Sequence, residues 1–572
     1  MITYYLLNRF NEQLITNYPL KSKNMTTKLL LRSFLIVLLF AAGCQKTQSA
    51  KTTPPITPTP PASSISSYGT FSIQNASSGD YAEVSGVTDL GTKLLNGTAL
   101  QQNALSVSNS KTNRWQEWQF NLQSNGYYTI MNLNSGKYMD VPDSTTTSGT
   151  TLDQYSATGT SAQYWAVTAV GLYYKITNKG NELALTNHAA SNAAGTPLTQ
   201  ETYTGNKDQL WTLNALASDS YRDDAVVGFF QRTSGSEAFD GGASVPLTWS
   251  SNAGKVFWET NDVFYNQLNS EGTFACGQIF NYHNSGMIQP ATHSWNPALT
   301  TNVISPDGVQ IFTSPVQGDL MWPGAGTEVG NQIYMNNIEV PVGSLSADNQ
   351  FLCDITESTS TSIPEVTNLT VPGMSGQTNI IYSLGMVQPG DGYVYAYGTG
   401  GFIGADVFVA RFATGSPTAW TFWDGSTWAS APSTASAAVV ASGPCNNNTV
   451  GYVNGKYVLI TMDFGFSCDQ SSRNMYASTA TSPTGPFTTA QTVYTLADYK
   501  QGHEPVFYNP TIHAEFNNGH NELLVDYCVN FYSKNDGTSN VCLAPCSNPD
   551  GTEDPNDYRP KGVRIPFSLI GL

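Results

Sequence analysis

The sequence predicts an all-β protein made of a repeated domain followed by a larger strand-rich domain. Aromatic and β-branched residues are abundant, whereas charged residues make up only 12% of the 572 residues. This usage suits pleated sheets joined by turns. A short unit recurs three times between residues 68 and 217. From residue 218 onward, strand-like runs are separated by Gly, Asn and Pro, and no helical periodicity extends beyond about two turns.

The charge balance makes nucleic acid a poor partner. Lys and Arg total 25 against 42 Asp and Glu, which gives a formal net charge of −17. Binding to phosphates requires clustered basic side chains, and the sequence contains no such cluster. We therefore expect no nucleic-acid partner and interpret the acidity as that of a soluble surface.

The N-terminal region resembles a bacterial lipoprotein signal that starts at Met25, after an upstream extension. A basic start is followed by an apolar run over residues 33–42, and small residues then lead to Cys44. The run is too short for a membrane span. Residues 1–44 are thus predicted to be a signal, with lipid on Cys44 anchoring an exported protein to the outer membrane or cell surface; secretion is the alternative. Ala41 stands where such signals usually have leucine.

Residues 45–67 are predicted to be a linker. Proline recurs throughout Lys51–Ser64, and such segments stay extended and cannot pack into a core. We expect a semi-rigid spacer that holds the folded domains away from a membrane.

The cysteines do not indicate a metal site. With Cys44 set aside, seven remain, so disulfides in an oxidising compartment would leave at least one free thiol. None is spaced like a zinc-ligand pair; the eight are Cys44, Cys276, Cys353, Cys445, Cys468, Cys528, Cys542 and Cys546.

Three Gln-x-Trp triplets mark the repeated unit of residues 68–217. Units this small cannot each bury their own apolar face, so three in-register copies predict a closed threefold assembly. The pattern resembles the ricin-type β-trefoil lectin domain, in which the tryptophans lie in the shared core. The triplets are Gln116-Glu117-Trp118, Gln163-Tyr164-Trp165 and Gln209-Leu210-Trp211, at intervals of 47 and 46 residues.

Sugar binding in that family needs an acid after the second strand of a repeat and an aromatic side chain later. Glu83 and Asp140 would be the acids of the first two repeats, whereas the third repeat has none. The residue before each Gln is not the Asn of the family pattern. The resemblance therefore implies that the second repeat is the best pocket, with Asp140 binding hydroxyls and Tyr155 stacking on a sugar. The alternative is a spacer or a degenerate lectin.

Residues 218–572 are predicted to form a β-propeller. Antiparallel strands recur over about 350 residues at a density that suits radial closure. Lys456–Thr461, followed by a strand and by Ser478–Phe487, resembles a blade of the five-bladed propeller glycosidases such as family 43. The resemblance implies five blades.

Two stretches are similar to a propeller group that includes endo-D-arabinanases. Asp240–Leu247 precedes a strand that ends in Asp262-Val263-Phe264, and Trp322–Gly326 also fits that group. Two positions depart from its pattern, because Ala243 replaces an aromatic residue and Asn261 replaces a glycine. Substrate identity is therefore less firmly implied than fold.

Hydrolysis of a glycosidic bond needs two carboxyl groups beside that bond. The resemblance implies that Asp240 and Asp262 are this pair and that a third acid, Glu504, completes the site. Without a catalytic role, Asp240 would form an Asx-turn and Asp262 would cap a strand end. Alternatives for the third acid are Glu339 and Glu515, and the predicted substrate-binding residues are Trp258, Trp322, His513 and Glu515.

Together these patterns predict a glycoside hydrolase acting on a furanose-rich polysaccharide such as an arabinan, with a carbohydrate-binding trefoil. The alternative is a non-catalytic surface lipoprotein that binds glycans. No serine-hydrolase Gly-x-Ser-x-Gly motif or phosphate-binding loop is present. A sialidase is disfavoured because Asp424-Gly425 lacks the spacing of an aspartate box. No cofactor is expected, and a structural calcium ion remains open.

Overall fold

The computed structural model describes residues 65, 68–86, 92–106, 114–217, 219–303, 308–344, 346–357, 366–400, 405–465, 467, 469–531, 548 and 550–572. The predicted signal with Cys44, and most of the predicted linker, lie outside these residues. The described chain is nearly all-β, and the predicted fold class is confirmed: a β-trefoil precedes a five-bladed β-propeller. No helix of the described segments is long and apolar enough to cross a membrane.

Thirteen strands form the trefoil, and antiparallel pairing joins them into one sheet. Pairing of the first strand with the last over Thr70–Asn75 closes the domain. The strands are β1 (Tyr68–Asn75), β2 (Tyr81–Val84), β3 (Thr98–Asn103), β4 (Trp118–Leu122), β5 (Tyr128–Asn132), β6 (Tyr138–Asp140), β7 (Thr150–Thr151), β8 (Asp153–Tyr155), β9 (Trp165–Val170), β10 (Tyr173–Asn178), β11 (Ala184–Asn187), β12 (Leu198–Glu201) and β13 (Trp211–Leu216). Short 3-10 helices occupy Thr92–Leu94, Arg114–Gln116, Pro142–Ser144, Ser161–Gln163, His188–Ala190 and Lys207–Gln209.

The tryptophans of the three triplets occupy equivalent places in the trefoil core. All three are fully buried among aliphatic and aromatic side chains. Each indole nitrogen donates to a carbonyl on the second strand of its own repeat. The pairs are Trp118 with Ala82 (3.0 Å), Trp165 with Met139 (3.1 Å) and Trp211 with Leu185 (2.9 Å). The threefold closure predicted from the triplets is confirmed.

The propeller consists of five antiparallel sheets, or blades. Its first strand, β14 (Tyr221–Arg222), is the outer strand of blade 5. Blade 1 contains β15 (Ser236–Asp240), β16 (Ser244–Pro246), β17 (Val256–Tyr265), β18 (Tyr282–Gln289) and β19 (Thr301–Val303). Blade 2 contains β20 (Leu320–Val329), β21 (Gln332–Val340), β22 (Asn349–Thr356) and β23 (Val366–Leu369). Blade 3 contains β24 (Ile381–Val387), β25 (Tyr393–Gly400), β26 (Asp406–Ala413), β27 (Thr421–Trp423), β28 (Trp428–Ala429) and β29 (Ala441–Ser442). Blade 4 contains β30 (Asn448–Val453), β31 (Lys456–Met462), β32 (Asn474–Ala480) and β33 (Gln491–Thr495), and blade 5 adds β34 (Val506–His513), β35 (Glu522–Asn530) and β36 (Lys561–Pro566).

The propeller ring closes by pairing its beginning with its end. β14 pairs with β36, so the outer strand of blade 5 comes from the start of the domain. A short helix follows, α1 (Asp224–Phe229), whose N-terminus is capped by the carboxylate of Asp223. At six residues, this helix is too short to leave a clear periodic signal in the sequence. Further 3-10 helices occupy Ser250–Asn252, Pro297–Leu299, Ser436–Ala438, Pro555–Tyr558 and Phe567–Leu569.

The first strands of the blades, here called the inner strands, approach one another closely around the propeller axis. Glycines permit this approach. A Cβ atom on Gly385 of β24 would lie 2.1 Å from the carbonyl oxygen of Val450 on β30. A Cβ atom on Gly451 would lie 2.5 Å from the side chain of Ile512 on β34. Neighbouring blades are thus packed nearly backbone to backbone.

Irregular pairing is a shared feature of the inner strands. The register shifts next to Asp240 in blade 1, between Pro323 and Gly326 in blade 2, and between Tyr508 and Thr511 in blade 5. Such bulges locally re-aim side chains. Polar side chains from blades 1, 2 and 5 can therefore meet near the axis.

Polar side chains join the trefoil to blade 5. The hydroxyls of Tyr68 and Tyr221 donate to the two oxygens of the buried Glu522 carboxylate, at 2.6 and 2.7 Å. The Lys137 ammonium lies 3.0 Å from Asp224 of α1. A Cβ atom on Gly136 would lie 2.5 Å from the carbonyl oxygen of Arg222. The trefoil is therefore seated directly on the strand that closes the propeller.

Replacing Gly385 by Ala should destabilise the protein by about 1–3 kcal/mol, because the added methyl group forces two inner strands apart. Thermal unfolding followed by circular dichroism measures the effect. Gly415→Ala is the matched control, since a Cβ atom there meets nothing within 4 Å. Equal melting temperatures for the two variants would contradict close packing at the axis.

Candidate active site

Two glycines shape the backbone beside Asp240. Gly241 and Gly242 have φ values of +77° and +110°, a region that side chains disfavour. A Cβ atom on Gly241 would lie 2.8 Å from the side chain of Asn261, and one on Gly242 would lie 3.1 Å from Asp526. The Gly-Gly pair thus lets the inner strand of blade 1 pass between the second strands of blades 1 and 5.

Two tyrosines of blade 5 hold the carboxyl group of Asp240. The hydroxyls of Tyr508 and Tyr558 donate to its Oδ2 atom at 3.1 and 2.9 Å. Burial, helped by the charge of Asp262, raises the pKa of Asp240 to about 7, and the two tyrosine hydrogen bonds act in the opposite direction. Near neutral pH, this group is therefore able to give or take a proton.

Asp262 is held by donors from blades 1 and 2. His283 Nδ1 lies 2.8 Å from Asp262 Oδ1, and the indole of Trp322 donates to the same oxygen at 3.2 Å. The backbone of Asp262 has a positive φ of 34°, which is uncommon for a residue with a side chain. Burial raises the pKa of Asp262, whereas His283 and Trp322 favour its ionised form.

Glu259 is a further acid of this site, three residues before Asp262 on β17. Its Oε1 atom accepts hydrogen bonds from the backbone amides of Gly242 (3.1 Å) and Ala243 (2.9 Å). Its Oε2 atom is buried without a hydrogen-bond partner. Burial raises the pKa of Glu259 well above its ordinary value. The side chain therefore braces the bend that carries Asp240.

A buried polar chain lies behind this bend. Ser244 Oγ lies 2.6 Å from His513 Nδ1 and also donates to Glu515. His513 Nε2 lies 3.2 Å from Asp526 Oδ1. Burial raises the pKa of both Glu515 and Asp526, and the charge of His513 opposes this rise. Blades 1 and 5 are thus joined by a chain of buried polar side chains.

Two of the predicted substrate-binding residues lie inside the protein. His513 is only 1% exposed, and the Trp258 ring is fully buried between Phe229, Phe230 and Phe516. The Trp258 indole donates to Gln289 at 2.8 Å. Both side chains support the site from within, whereas Trp322 and Glu515 are partly exposed.

Glu504 lies just before β34 in an ion pair of its own. Its carboxylate binds Arg473, and its backbone amide donates to Asp469 at 2.8 Å. The described contacts of Glu504 do not include Asp240 or Asp262. Burial raises the pKa of Glu504, and Arg473 lowers it.

Several residues of the site, including Ser244, were given no role by the sequence predictions. Glu259 and Asp526 lie in the middle of largely apolar strands, and His283 lies near the start of a strand without a flanking motif. Tyr558 comes from a 3-10 helix far along the chain. A charged residue inside an apolar strand was the one available signal, since such residues are seldom buried without a partner.

The trefoil residues predicted to bind sugar form a separate cluster. Asp140 on β6 and Tyr155 on β8 lie on paired strands, and Asp140 stands directly opposite Asp153. In the described part of the chain, no group of three or more His, Cys, Asp or Glu residues is arranged to hold a metal ion.

Two family models match the chain. The ricin-type β-trefoil lectin domain-like model matches residues 114–201 and 170–223. The model described as Domain of unknown function (DUF5005) matches residues 223–566, more than half of the chain. The chain belongs to the DUF5005 family. The residues matched by DUF5005 include the whole candidate site of the propeller.

Several solved structures resemble parts of this DUF5005 member. A Bacteroides ovatus protein described as a "putative hydrolase" is 21% identical, with 60% of this chain and 90% of that chain covered and a TM-score of 0.47. The designed threefold symmetric protein ThreeFoil is 28% identical over 26% of this chain and 99% of its own, with a TM-score of 0.24. An exo-β-1,3-galactanase of Clostridium thermocellum is 26% identical over 26% of this chain and 30% of its own, with a TM-score of 0.24. No curated protein matches.

Glu259→Gln should leave the melting temperature nearly unchanged at pH 5 and raise it relative to the wild type at pH 8. The raised pKa means that the folded state resists ionisation while the unfolded chain ionises, so the wild type loses stability as pH rises above about 4.3. Each unit of pKa difference corresponds to about 1.4 kcal/mol. A melting-temperature difference that does not change with pH would contradict the burial of a protonated Glu259.

Proposed function

We propose that this protein is a glycoside hydrolase that cleaves a furanose-rich polysaccharide such as an arabinan, and that its trefoil binds carbohydrate. The observation that supports the hydrolase is the pair of partly buried carboxyl groups, Asp240 and Asp262, in which the charge of Asp262 helps to raise the pKa of Asp240. Hydrolysis of a glycosidic bond requires two such carboxyl groups, one acting as an acid and the other as a base or nucleophile.

The surroundings of the two acids favour different roles. Asp240 has its pKa raised to about 7, so it can protonate the leaving oxygen as a general acid. Asp262 accepts hydrogen bonds from His283 and Trp322, which favour the carboxylate. It would act as the nucleophile or as the base that activates water. Glu504 remains the proposed third acid.

The topology supports a single cleft for these groups. The inner strand and second strand of each blade run antiparallel. The end of β17 and the starts of β20 and β34 therefore lie at one end of the propeller. Asp262, Trp322 and Tyr508 occupy these positions, and Glu504 immediately precedes β34. A polysaccharide crossing this end would meet both acids and the partly exposed Trp322 indole.

An exported location fits the chemistry of the cysteines. Cys276 is disulfide-bonded, and disulfides persist mainly in oxidising compartments. We propose that Cys44 carries a lipid that anchors the protein to the outer membrane or cell surface. The proline-rich linker would then separate both domains from the membrane.

The second candidate is a surface protein that binds glycans without cleaving them. The match of residues 114–201 and 170–223 to a ricin-type lectin domain-like model favours carbohydrate binding. In this alternative the propeller would also act as a binding platform. Retained binding without release of sugars would support it.

Asp240→Asn and Asp262→Asn should each lower the rate of arabinan hydrolysis by about 10²–10⁴, because each removes a proton-transfer or nucleophilic group. Reducing-sugar release from linear arabinan, arabinogalactan and xylan measures the effect. Asp391→Asn is the control, since it makes the same charge change in the turn between β24 and β25. Release of sugars from none of the polymers by the wild type would reject hydrolysis of these polymers. Unchanged rates in the Asp240 and Asp262 variants would reject the site.

The pH dependence of kcat/KM tests the role of Asp240. Activity should fall above about pH 7, as Asp240 loses its proton. Tyr558→Phe removes a donor that stabilises the carboxylate, so the pKa of Asp240 should rise and the alkaline limb should move to higher pH. A limb that stays in place or moves to lower pH would contradict the role of Asp240 as the acid.

A further inference from the structure

The three trefoil repeats can be compared position by position. The carbonyls that accept from the core tryptophans belong to Ala82, Met139 and Leu185. The next residues along the chain are therefore equivalent, and each faces one residue on the neighbouring strand. These pairs are Glu83 with Gln101, Asp140 with Asp153, and Thr186 with Thr199.

In the first repeat, the polar groups satisfy one another. Glu83 accepts from Gln101 (2.7 Å), Asn103 (3.1 Å) and Gln116 (2.9 Å). Both of its carboxylate oxygens are thus bound by neutral donors of the same domain. Nothing more is needed to stabilise this acid.

In the third repeat, the equivalent polar groups also form hydrogen bonds within their own repeat. The hydroxyl of Thr186 donates to Ala184 at 2.9 Å and accepts from Gln209 at 3.2 Å. The hydroxyl of Thr199 donates to Glu201 at 2.8 Å. This repeat has hydroxyls where the second repeat has two acids.

The second repeat differs because its two acids have fewer donors: Gln163 bonds to Asp140, and the described residues provide no hydrogen bond to Asp153. Asp140 is 6% exposed and Asp153 is 9% exposed, and the Oδ1 atom of each is buried without a hydrogen-bond partner. Like charges directly opposite each other across a sheet are destabilising. A buried carboxylate oxygen without a donor adds a further cost. The arrangement leaves an unmet requirement for positive charge and for hydrogen-bond donors.

The surroundings do not supply that charge. Burial raises the pKa of Asp140 to about 6, opposed by a hydrogen bond from Gln163 and increased by the charge of Asp143. Burial, together with the charges of Asp140 and Asp143, raises the pKa of Asp153 to about 7. Lys137, a basic residue that directly precedes β6, is bound to Asp224 of the propeller.

An aromatic ring stands beside the two acids. Tyr155 lies two residues after Asp153 on β8, so both side chains point to the same face of the strand. Tyr155 is 42% exposed. The equivalent residues of the other repeats are Asn103 and Glu201, which both bond within their own repeats. The second repeat therefore has an open aromatic ring as well as uncompensated acids.

We infer that the second repeat binds an amino sugar, whose ammonium group lies between Asp140 and Asp153 while its ring packs on Tyr155. An ammonium group supplies both the positive charge and the three donors that the two carboxyl groups lack. A sugar ring presents C–H groups that pack on an aromatic face. This inference rests on the carbohydrate-binding role proposed for the trefoil and narrows its ligand to glycans with free amines.

Binding of two oligomers to the full chain tests the inference. A β-1,4-linked glucosamine tetramer should bind at least about tenfold more tightly than the N-acetylglucosamine tetramer at pH 7, as measured by calorimetry. Asp153→Asn should remove this preference. Glu201→Gln, which makes the same charge change at the position equivalent to Tyr155 in the third repeat, should retain it.

The dependence on pH gives a second readout. Affinity for the glucosamine tetramer should fall by about tenfold or more from pH 7 to pH 5, because both acids become protonated, while the N-acetylated tetramer should show no such fall. Equal affinities for the two oligomers, or a preference that survives in Asp153→Asn, would overturn the inference. Binding of the neutral oligomer alone would overturn it while supporting carbohydrate binding. Arabinan hydrolysis by the wild type, assayed separately, tests the hydrolase proposed at Asp240, so failure of the hydrolase and failure of amine binding are distinguished.

Discussion

Close packing of the inner strands is the constraint on which the propeller depends. Gly385 and Gly451 allow neighbouring blades to approach until backbone nearly meets backbone. The same closeness operates between blades 1 and 5, where Gly242 leaves room for Asp526. Side chains that would be separated by solvent in a wider ring are forced into one shared, poorly hydrated volume.

That shared volume determines the acid–base character of the site. Carboxyl groups moved out of water resist ionisation, and each additional acid nearby increases the resistance. Burial raises the pKa values of Asp240, Glu259 and Asp526, and neighbouring acids add to the rise at Asp240 and Glu259. Donors from Tyr508 and Tyr558 offset part of the effect at Asp240 alone. The close packing of the inner strands therefore sets both the positions of these carboxyl groups and their affinity for protons.

The sequence was informative where a local pattern has a single structural meaning. The Gln-x-Trp triplets predicted the trefoil because each tryptophan fills an equivalent place in one core. The stretch from Asp240 to Asp262 predicted a pair of neighbouring acids, and the structure places Asp240 opposite Asn261, the residue before Asp262. Both signals lie within short segments, so no knowledge of the blade arrangement was needed.

The remainder of the site depends on contacts that the sequence does not encode locally. Tyr508 and Tyr558 reach Asp240 across 268 and 318 residues of chain, through the closure of the ring. Trp258 was predicted to contact substrate, yet it is fully buried. An aromatic residue in an apolar strand suits a sugar platform and a core equally well. The sequence pattern alone does not distinguish an aromatic residue that stacks on a sugar from one that packs in the core.

The seating of the trefoil on blade 5 has an evolutionary consequence. The strand that completes the propeller, Tyr221–Arg222, directly follows the trefoil and passes beneath Gly136. A recombination event that exchanged the trefoil for an unrelated module would expose this contact surface. It would also remove the Tyr68 hydroxyl from Glu522 and the Lys137 ammonium from Asp224. Carbohydrate-binding modules joined by flexible linkers can be exchanged freely between enzymes. Here an exchange of the trefoil alone would disturb packing and hydrogen bonds of the propeller itself.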